Sequence, residues 1–232
     1  MDPARIRFVY FDLDDTLLDH RRAERRGLAD LCRAHGAHFS RVAVDAVQQT
    51  YHAHSVPLWK QYAAGTISKT DLQRLRFERT LNALGIAGLD ADRLNADYLE
   101  RYAAHWHWPA PARRAYLAVE KRLPVGLLTN GFAEVQHAKL ERFPVLRERA
   151  AAVVISEEVG YMKPHPKIFA HAANEASTPP ETILYVGDSL HSDVEGALGA
   201  GWQAAWFSDA PEAPNGVFQF TRWSALEDWL LG

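Results

Sequence analysis

Short apolar runs rich in β-forming residues recur along the chain, and stretches with helical spacing separate most of them. The predicted buried strands are residues 6–11, 124–129, 152–156, 183–186 and 203–207. The predicted helices around them are residues 112–122, 133–143, 167–175 and 192–200. A short strand at 218–221 and a helix at 225–231 follow. Because strands alternate with helices, we expect an α/β fold with a parallel sheet that is buried on both faces.

The long stretch after the first predicted strand has a different pattern. Apolar residues recur there at helical spacing, strand signals are few, and glycines divide the stretch into roughly four helices. We therefore expect two domains. Residues 1–17 and 110–232 would form the α/β core, and residues 18–109 would form an inserted all-helical domain.

Composition and charge narrow the range of functions. The chain has 232 residues, of which 47% are hydrophobic and 24% are charged, as is typical of soluble globular proteins. Its net charge of -3 argues against nucleic-acid binding, which usually requires a basic surface. The single cysteine, Cys32, excludes an intrachain disulfide, and we expect a buried packing thiol and a cytoplasmic protein. We expect neither a signal peptide nor a membrane span.

The first of four polar clusters, residues 12–16, lies at the end of the first predicted strand. Asp12, Asp14 and Asp15 are three aspartates within four positions. Like charges repel and burial disfavours ionisation, so a bound divalent cation would remove much of the cost of this arrangement. Magnesium binds to a few carboxylates together with water and phosphate oxygens. The alternative is an acidic turn in which Thr16 caps a helix.

Two further clusters offer groups that bind anions. Thr129 supplies a hydroxyl, Asn130 an amide, and Gly131 lets backbone N–H groups approach an anion closely. Lys163 lies between a predicted strand and a helix, where it can place a positive charge against a phosphate or a carboxylate. A polar turn and a solvated loop lysine are the alternative interpretations.

The fourth cluster follows the strand at 183–186. Asp188 could complete a metal site with Asp12, and Asp193 could orient Lys163 or a metal-bound water. The alternative is helix capping by Asp188 or Ser189. Because ligands bind beyond the carboxyl ends of parallel strands, we expect all four clusters to converge on one pocket.

The order of these clusters resembles the four motifs of the haloacid dehalogenase superfamily. The matching segments are residues 12–16, residues 129–131, Lys163 with Pro164, and Gly187–Asp188 with Asp193. The runs TNGFAEVQHAKLER and ISEEVGYMKPHPKIF are similar to the branch that contains pyrimidine 5′-nucleotidases and N-acylneuraminate-9-phosphatase. The resemblance implies a Rossmann-like core with a C1-type helical cap.

The resemblance also implies roles in phosphoryl transfer. Asp12 would be the nucleophile, and Asp14 would protonate the leaving oxygen and then deprotonate the attacking water. Mg²⁺ would lie between Asp12, the backbone carbonyl of Asp14, and Asp188. The phosphoryl oxygens would be held by Thr129, Asn130 and Lys163. Asp193 would support the site, and Asp15 receives no catalytic role.

The function expected from this resemblance is hydrolysis of a small phosphomonoester, with a nucleoside 5′-monophosphate as the first choice. Alternatives are a sugar-phosphate, phosphoglycolate or acylneuraminate phosphatase, then a phosphomutase, a dehalogenase or a non-catalytic binding protein. Asp14 argues against a dehalogenase, because a halide leaves without protonation. The Thr-Asn-Gly motif argues against a mutase. We expect a monomer or homodimer without membrane or nucleic-acid partners.

Two tryptophans near the end of the predicted insert leave two interpretations open. Trp106 and Trp108 alternate with His105 and His107. Their aromatic faces could contact the leaving group of a substrate, but packing in which both rings anchor the predicted cap on the core is the better-supported interpretation.

Overall fold

The computed structural model describes residues 2–232, which fall into two compact units. The larger unit contains the residues up to Asp19 together with His107–Gly232, and the smaller unit is His20–Trp106. The assignment of residues 18–109 as a cap stays a proposal.

The larger unit is built on a six-stranded sheet in which every pairing is parallel. The strands are β1 (Phe8–Phe11), β2 (Val125–Thr129), β3 (Ala152–Ile155), β4 (Ile183–Gly187), β5 (Gln203–Phe207) and β6 (Phe218–Phe220). Their spatial order is β3-β2-β1-β4-β5-β6, so β1 lies between β2 and β4. Phe11 is in register with Leu127 on β2 and with Val186 on β4. The predicted Rossmann-like parallel sheet is confirmed.

Helices cover both faces of the sheet. One face packs against α6 (Ala110–Glu120), α7 (Ala133–Arg142), α8 (Pro144–Arg149) and α12 (Trp223–Leu231). The other packs against α10 (Pro166–Glu175) and α11 (Gly196–Gly199), and α9 (Ser156–Val159) follows β3. Along β1, Val9 and Phe11 belong to the first apolar cluster, whereas Phe8 and Tyr10 belong to the second. This alternation explains why the strand is apolar at every position.

Two element boundaries differ from the predicted pattern. Strand β1 begins at Phe8 rather than at residue 6, because the N–H of Ile6 donates to Pro3 O and closes a 3₁₀ turn over Pro3–Arg5. The predicted helix at 192–200 is a π-helical segment, Leu190–Glu195, followed by the short helix α11.

The smaller unit consists of helices α1 (His20–Ala34), α2 (Gly36–Phe39), α3 (Val44–Ala63), α4 (Lys69–Ala83) and α5 (Ala91–Ala104). Four are long, and α2 is a single turn. The rings of Tyr51, Phe77 and Tyr98 lie 5.2–5.5 Å apart in its interior. Arg76 is buried against these rings, and its Nε donates to Asn95 Oδ1 at 3.1 Å. Among the described residues of both units, no helix is long and apolar enough to cross a membrane.

Candidate active site

A tight loop after β1 holds Asp12 and Asp14 at the carboxyl end of the sheet. The N–H of Asp12 donates to Val186 O at 2.9 Å, which continues the pairing of β1 with β4. The loop then closes on itself, because the N–H of Leu18 donates to Leu13 O at 2.7 Å. The side chain of Leu13 is fully buried and anchors the loop. The loop backbone therefore fixes the positions from which the side chains of Asp12 and Asp14 project.

The centre of the site is a buried ion cluster of one lysine and two aspartates. Lys163 Nζ lies 2.8 Å from Asp12 Oδ1 and 2.8 Å from Asp193 Oδ1, and it also donates to the Tyr185 hydroxyl. The three charged residues are only 6% (Asp12), 5% (Lys163) and 1% (Asp193) exposed. Tyr185 in turn donates to Leu128 O at 2.6 Å. Lys163 is thus fixed from three directions and points at the predicted nucleophile.

The electrostatics of this cluster favour a charged lysine and strain the carboxylate of Asp12. Burial alone would lower the pKa of Lys163, but Asp12 and Asp193 outweigh it and hold that pKa above its usual value. Burial raises the pKa of Asp12 well above its usual range. The charge of Lys163 lowers this pKa, whereas the charges of Asp193 and Asp188 raise it further. An additional cation would therefore stabilise the ionised form of Asp12.

Three carboxylates in this region have the chemistry of a divalent-cation site. Oxygens of Asp12, Asp188 and Asp193 lie within 4.8 Å of one another. Lys163 is the cation that faces Asp12 and Asp193, so three carboxylates exceed the positive charge that it supplies. Asp188 is half-buried and accepts from Thr16 Oγ1 at 3.3 Å. Oxygen donors with excess negative charge are the ligands that Mg²⁺ prefers, so the residues fit this ion.

Of the residues predicted to bind phosphate, Lys163 belongs to this cluster, and Thr129 and Asn130 accept from Gln136 of α7. Thr129 is 1% exposed at the end of β2. The Asn130 side chain holds the backbone of Lys163, since Nδ2 donates to Lys163 O at 3.0 Å and Lys163 N donates to Oδ1 at 2.8 Å. Asn130 therefore fixes the loop that carries Lys163, and the Gly131 N–H donates to Ser156 Oγ at 3.1 Å.

The carboxylate of Asp14 faces α7. Lys139 Nζ donates to both of its oxygens, at 2.6 and 2.7 Å, and Gln136 Nε2 donates to Oδ2 at 3.1 Å. Sequence reasoning assigned no role to Lys139, Gln136 or Tyr185. Gln136 and Lys139 stand three positions apart on one face of α7, but the sequence alone does not show that their side chains are buried.

The alternative interpretations of individual residues hold in part. Ser189 caps the π-helical segment by accepting from Ser192 N at 3.2 Å, whereas Asp188 lies in the carboxylate cluster. The ring of Trp108 packs 5.8 Å from that of Tyr116, and the ring of Trp106 packs 5.7 Å from that of Tyr102. Each tryptophan therefore contributes to packing within its own unit.

Sequence comparison identifies the family to which this site belongs. A sequence model described as "haloacid dehalogenase-like hydrolase" matches residues 6–201, which include all four clusters. The chain belongs to this family. The predicted family and the predicted class of enzyme, a haloacid dehalogenase-like phosphatase, are confirmed.

Relatives within this haloacid dehalogenase-like family carry several names. The chain is 33% identical to pyrimidine 5′-nucleotidase YjjG of Escherichia coli, over 95% of both chains. It is 30% identical to glyceraldehyde 3-phosphate phosphatase of Pyrococcus furiosus, over 88% of this chain and 81% of that protein. It is 27% identical to human N-acylneuraminate-9-phosphatase, over 88% and 83%. The predicted nucleotidase-like branch is among these relatives.

Solved structures share the fold of this haloacid dehalogenase-like chain. The putative hydrolase YfnB of Bacillus subtilis, bound to magnesium, superposes with a TM-score of 0.82 at 23% identity, over 98% of this chain and 100% of that one. L-2-haloacid dehalogenase of Xanthobacter autotrophicus superposes with a TM-score of 0.74 at 20% identity, over 98% and 99%. At these identities the likeness establishes the fold alone.

A glycine at the end of β4 makes room for the ion cluster and permits a test. A Cβ added to Gly187 would lie 2.3 Å from Asp193 Oδ2, so Gly187→Ala must displace the carboxylate that holds Lys163. We expect a loss of about 1–3 kcal/mol in unfolding free energy and a marked fall in activity. Gly199→Ala is the control, because a Cβ at Gly199 would meet open space. Urea unfolding of both variants checks this, and equal effects would contradict it.

Proposed function

We propose that this chain is a magnesium-dependent phosphomonoesterase that acts through an aspartyl-phosphate on Asp12. The observation that carries the proposal is the buried contact between Lys163 Nζ and Asp12 Oδ1, 2.8 Å apart at the end of the central strand β1. A buried carboxylate aligned by a fixed ammonium group is suited to attack an anionic phosphoryl group, because the same lysine offsets their repulsion. Asp14, two residues on, supplies the acid and base.

In the first step of the proposed reaction, an Asp12 carboxylate oxygen attacks phosphorus in line with the leaving oxygen. The bond from phosphorus to the leaving oxygen breaks, and Asp14 gives its proton to that oxygen. In the second step a water oxygen attacks phosphorus, the bond from phosphorus to Asp12 breaks, and Asp14 takes the proton of the water. Inorganic phosphate and the alcohol leave, and both aspartates return to their starting states.

Residues around Asp12 would hold the phosphoryl group during both steps. Lys163 supplies a full positive charge, and Thr129 supplies a hydroxyl from the neighbouring strand β2. The side chain of Asn130 acts here through its two hydrogen bonds to the Lys163 backbone, and its direct contact with phosphate stays a prediction. Asp193 keeps Lys163 in place.

Carboxylates of Asp12 and Asp188, with the backbone carbonyl of Asp14, would hold Mg²⁺ in this proposal. When bound, the ion supplies positive charge that offsets the repulsion between Asp12 and an anionic substrate. The support for this assignment is the cluster of Asp12, Asp188 and Asp193 and the raised pKa of Asp12, whose first cause is burial.

For the substrate we propose a nucleoside 5′-monophosphate, supported by the 33% identity to a protein named as a pyrimidine 5′-nucleotidase. Glyceraldehyde 3-phosphate and acylneuraminate 9-phosphate follow from the other relatives. Residues 18–109 would form the C1-type cap that selects among them. A cytoplasmic location, a monomeric or homodimeric state and the absence of membrane and nucleic-acid partners stay predictions.

A phosphate-release screen tests the proposal. We expect release from nucleoside 5′-monophosphates to exceed release from sugar phosphates, phosphoglycolate and acylneuraminate phosphate. Chelation should abolish the activity and added magnesium should restore it, because Asp12 and phosphate would otherwise repel each other. Turnover that persists in excess chelator would contradict the metal assignment. An isomerised sugar phosphate without free phosphate would contradict hydrolysis.

A further inference from the structure

The acid and base of the proposed reaction is bound by a helix that the proposed mechanism does not otherwise use. Two side chains of α7 give Asp14 three hydrogen bonds: two from Lys139 at 2.6 and 2.7 Å, and one from Gln136 at 3.1 Å. Because Lys139 contacts both carboxylate oxygens, it restricts rotation of the carboxyl group about its χ2 bond.

Lys139 lies in an unusual environment for a lysine. Its side chain is 2% exposed, and Gln136 and Leu140 of the same helix are buried as well. A buried ammonium group is costly unless it is paired, and the carboxylate of Asp14 pairs with it at 2.6 Å. Lysines in helices usually face solvent, so the burial of Lys139 against Asp14 indicates that it acts on this carboxyl group.

Gln136 links the same carboxyl group to the predicted phosphate-binding residue. Its Nε2 donates to Asp14 Oδ2 at 3.1 Å, to Thr129 Oγ1 at 2.8 Å and to Asn130 O at 3.0 Å. The Asp14 carboxylate and the Asn130 carbonyl can only accept hydrogen bonds, so the Gln136 side chain must turn its NH₂ group, not its oxygen, towards them. The shared donor keeps Oδ2 of Asp14 next to the Thr129 hydroxyl.

A glycine makes this link possible. Gly131 has a φ of +154°, and a Cβ there would lie 2.7 Å from Gln136 Nε2 and 3.0 Å from its Cδ. The Gln136 side chain is 1% exposed and passes across the backbone of the Thr-Asn-Gly turn. The Thr-Asn-Gly turn and α7 therefore act together, through Gln136, to hold the Asp14 carboxyl group.

We propose that Lys139 and Gln136 are positioning residues that hold the Asp14 carboxyl group in line with the leaving oxygen; this inference rests on the proposed function. In the first step Asp12 forms its bond to phosphorus while Asp14 protonates the leaving oxygen. In that step the bond from oxygen to phosphorus breaks as the proton moves from Asp14 to the oxygen. The same held carboxylate then takes a proton from the attacking water.

Comparing substrates with different leaving groups shows whether Lys139 and Gln136 position the acid Asp14 or only stabilise the fold. An alkyl phosphate such as a nucleoside 5′-monophosphate needs protonation of its leaving oxygen, whereas p-nitrophenyl phosphate leaves as a stabilised phenolate. We expect Lys139→Met to lower kcat/KM for the alkyl ester at least about 10-fold more than for the aryl ester. Gln136→Met should shift the ratio in the same direction by a smaller factor.

The ratio of the two constants is measured on one preparation, so a lower fraction of folded protein does not change it. Lys121→Met, at an exposed lysine that ends α6, is the matched control and should leave the ratio unchanged. Asp14→Asn should shift the ratio most, and adding Lys139→Met to it should cause little further shift. An equal fall for both esters, or no change, in both α7 variants would overturn the inference.

Failure of the proposed function gives a different result. If Asp12→Asn still hydrolyses both esters at the parental rate, the nucleophile assignment is wrong, and the positioning role of Lys139 and Gln136 falls with it. If Asp12→Asn is inactive while Lys139→Met keeps the parental ratio, the proposed function stands and the positioning role is wrong.

Discussion

Asp12→Asn is expected to lower kcat by at least about 10⁴-fold while the protein stays folded, because an amide cannot replace the attacking carboxylate. Burial and the charges of Asp193 and Asp188 disfavour the ionised form of Asp12, so removal of its charge relieves repulsion in the folded protein. Lys163 keeps its 2.8 Å contact with Asp193. We therefore expect a thermal unfolding midpoint at or above that of the parent. Steady-state kinetics and thermal unfolding of the same preparation check both parts.

Asp15→Asn is the matched control for this prediction. Asp15 lies in the same loop with a φ of +60°, a conformation that asparagine adopts as readily as aspartate, and it has no assigned role in the reaction. The control should keep its activity within a few-fold of the parent. Comparable losses in Asp12→Asn and Asp15→Asn would show that the loop tolerates no change, and the nucleophile assignment would lose its support.

Lys163→Met is expected to remove activity and also to destabilise the fold by about 3–5 kcal/mol. The substitution leaves the carboxylates of Asp12 and Asp193 buried without the ammonium group that lies 2.8 Å from each. It also removes the donor to the Tyr185 hydroxyl. Urea unfolding in the presence of a chelator measures this loss directly.

Added magnesium gives the Lys163→Met experiment a second readout that needs no activity. If the carboxylates near residue 163 bind the ion, magnesium should restore part of the lost unfolding free energy, because it binds only the folded state. Lys167→Met is the control: Lys167 is exposed and contacts Tyr161, so its effect should stay within about 0.5 kcal/mol. A Lys163→Met protein as stable as the control would contradict the buried ion cluster.

The fold was largely predictable because its core strands are apolar at nearly every position. Strands β2 and β5 lie within one residue of their predicted bounds, since a parallel sheet covered on both faces needs continuous apolar runs. The start of β1 was not predictable in this way. Ile6 is as apolar as the strand, but a 3₁₀ turn uses its N–H.

The π-helical segment shows a different limit of the sequence pattern. The apolar spacing at 192–200 is helical, and the pattern does not distinguish a helix of normal width from a wider one. In the structure the N–H of Val194 donates to Ser189 O at 3.2 Å, five residues back, while Asp193 turns towards Lys163. The wider turn arises where the Asp193 side chain also accepts from Ser189 N at 2.9 Å.

The predicted site residues Asp12, Asp188 and Asp193 lie close together, because the carboxyl ends of neighbouring parallel strands share one edge. Asp12 follows β1 and Asp188 follows β4, which pairs with β1. Lys139 and Gln136 escaped prediction because they lie within a helix, where a lysine and a glutamine normally face solvent. Only the packing of α7 on the sheet shows that these two side chains are buried and turned towards Asp14.

Rapid acid quenching of the enzyme during turnover, followed by mass spectrometry of its peptides, tests the central claim most directly. The protein would be mixed with magnesium and a nucleoside 5′-monophosphate and quenched within the first turnovers. We predict one phosphoryl group on the peptide that contains Asp12, at that residue, and none in Asp12→Asn. Turnover without a phosphorylated enzyme, or with the phosphoryl group on another residue, would contradict the account.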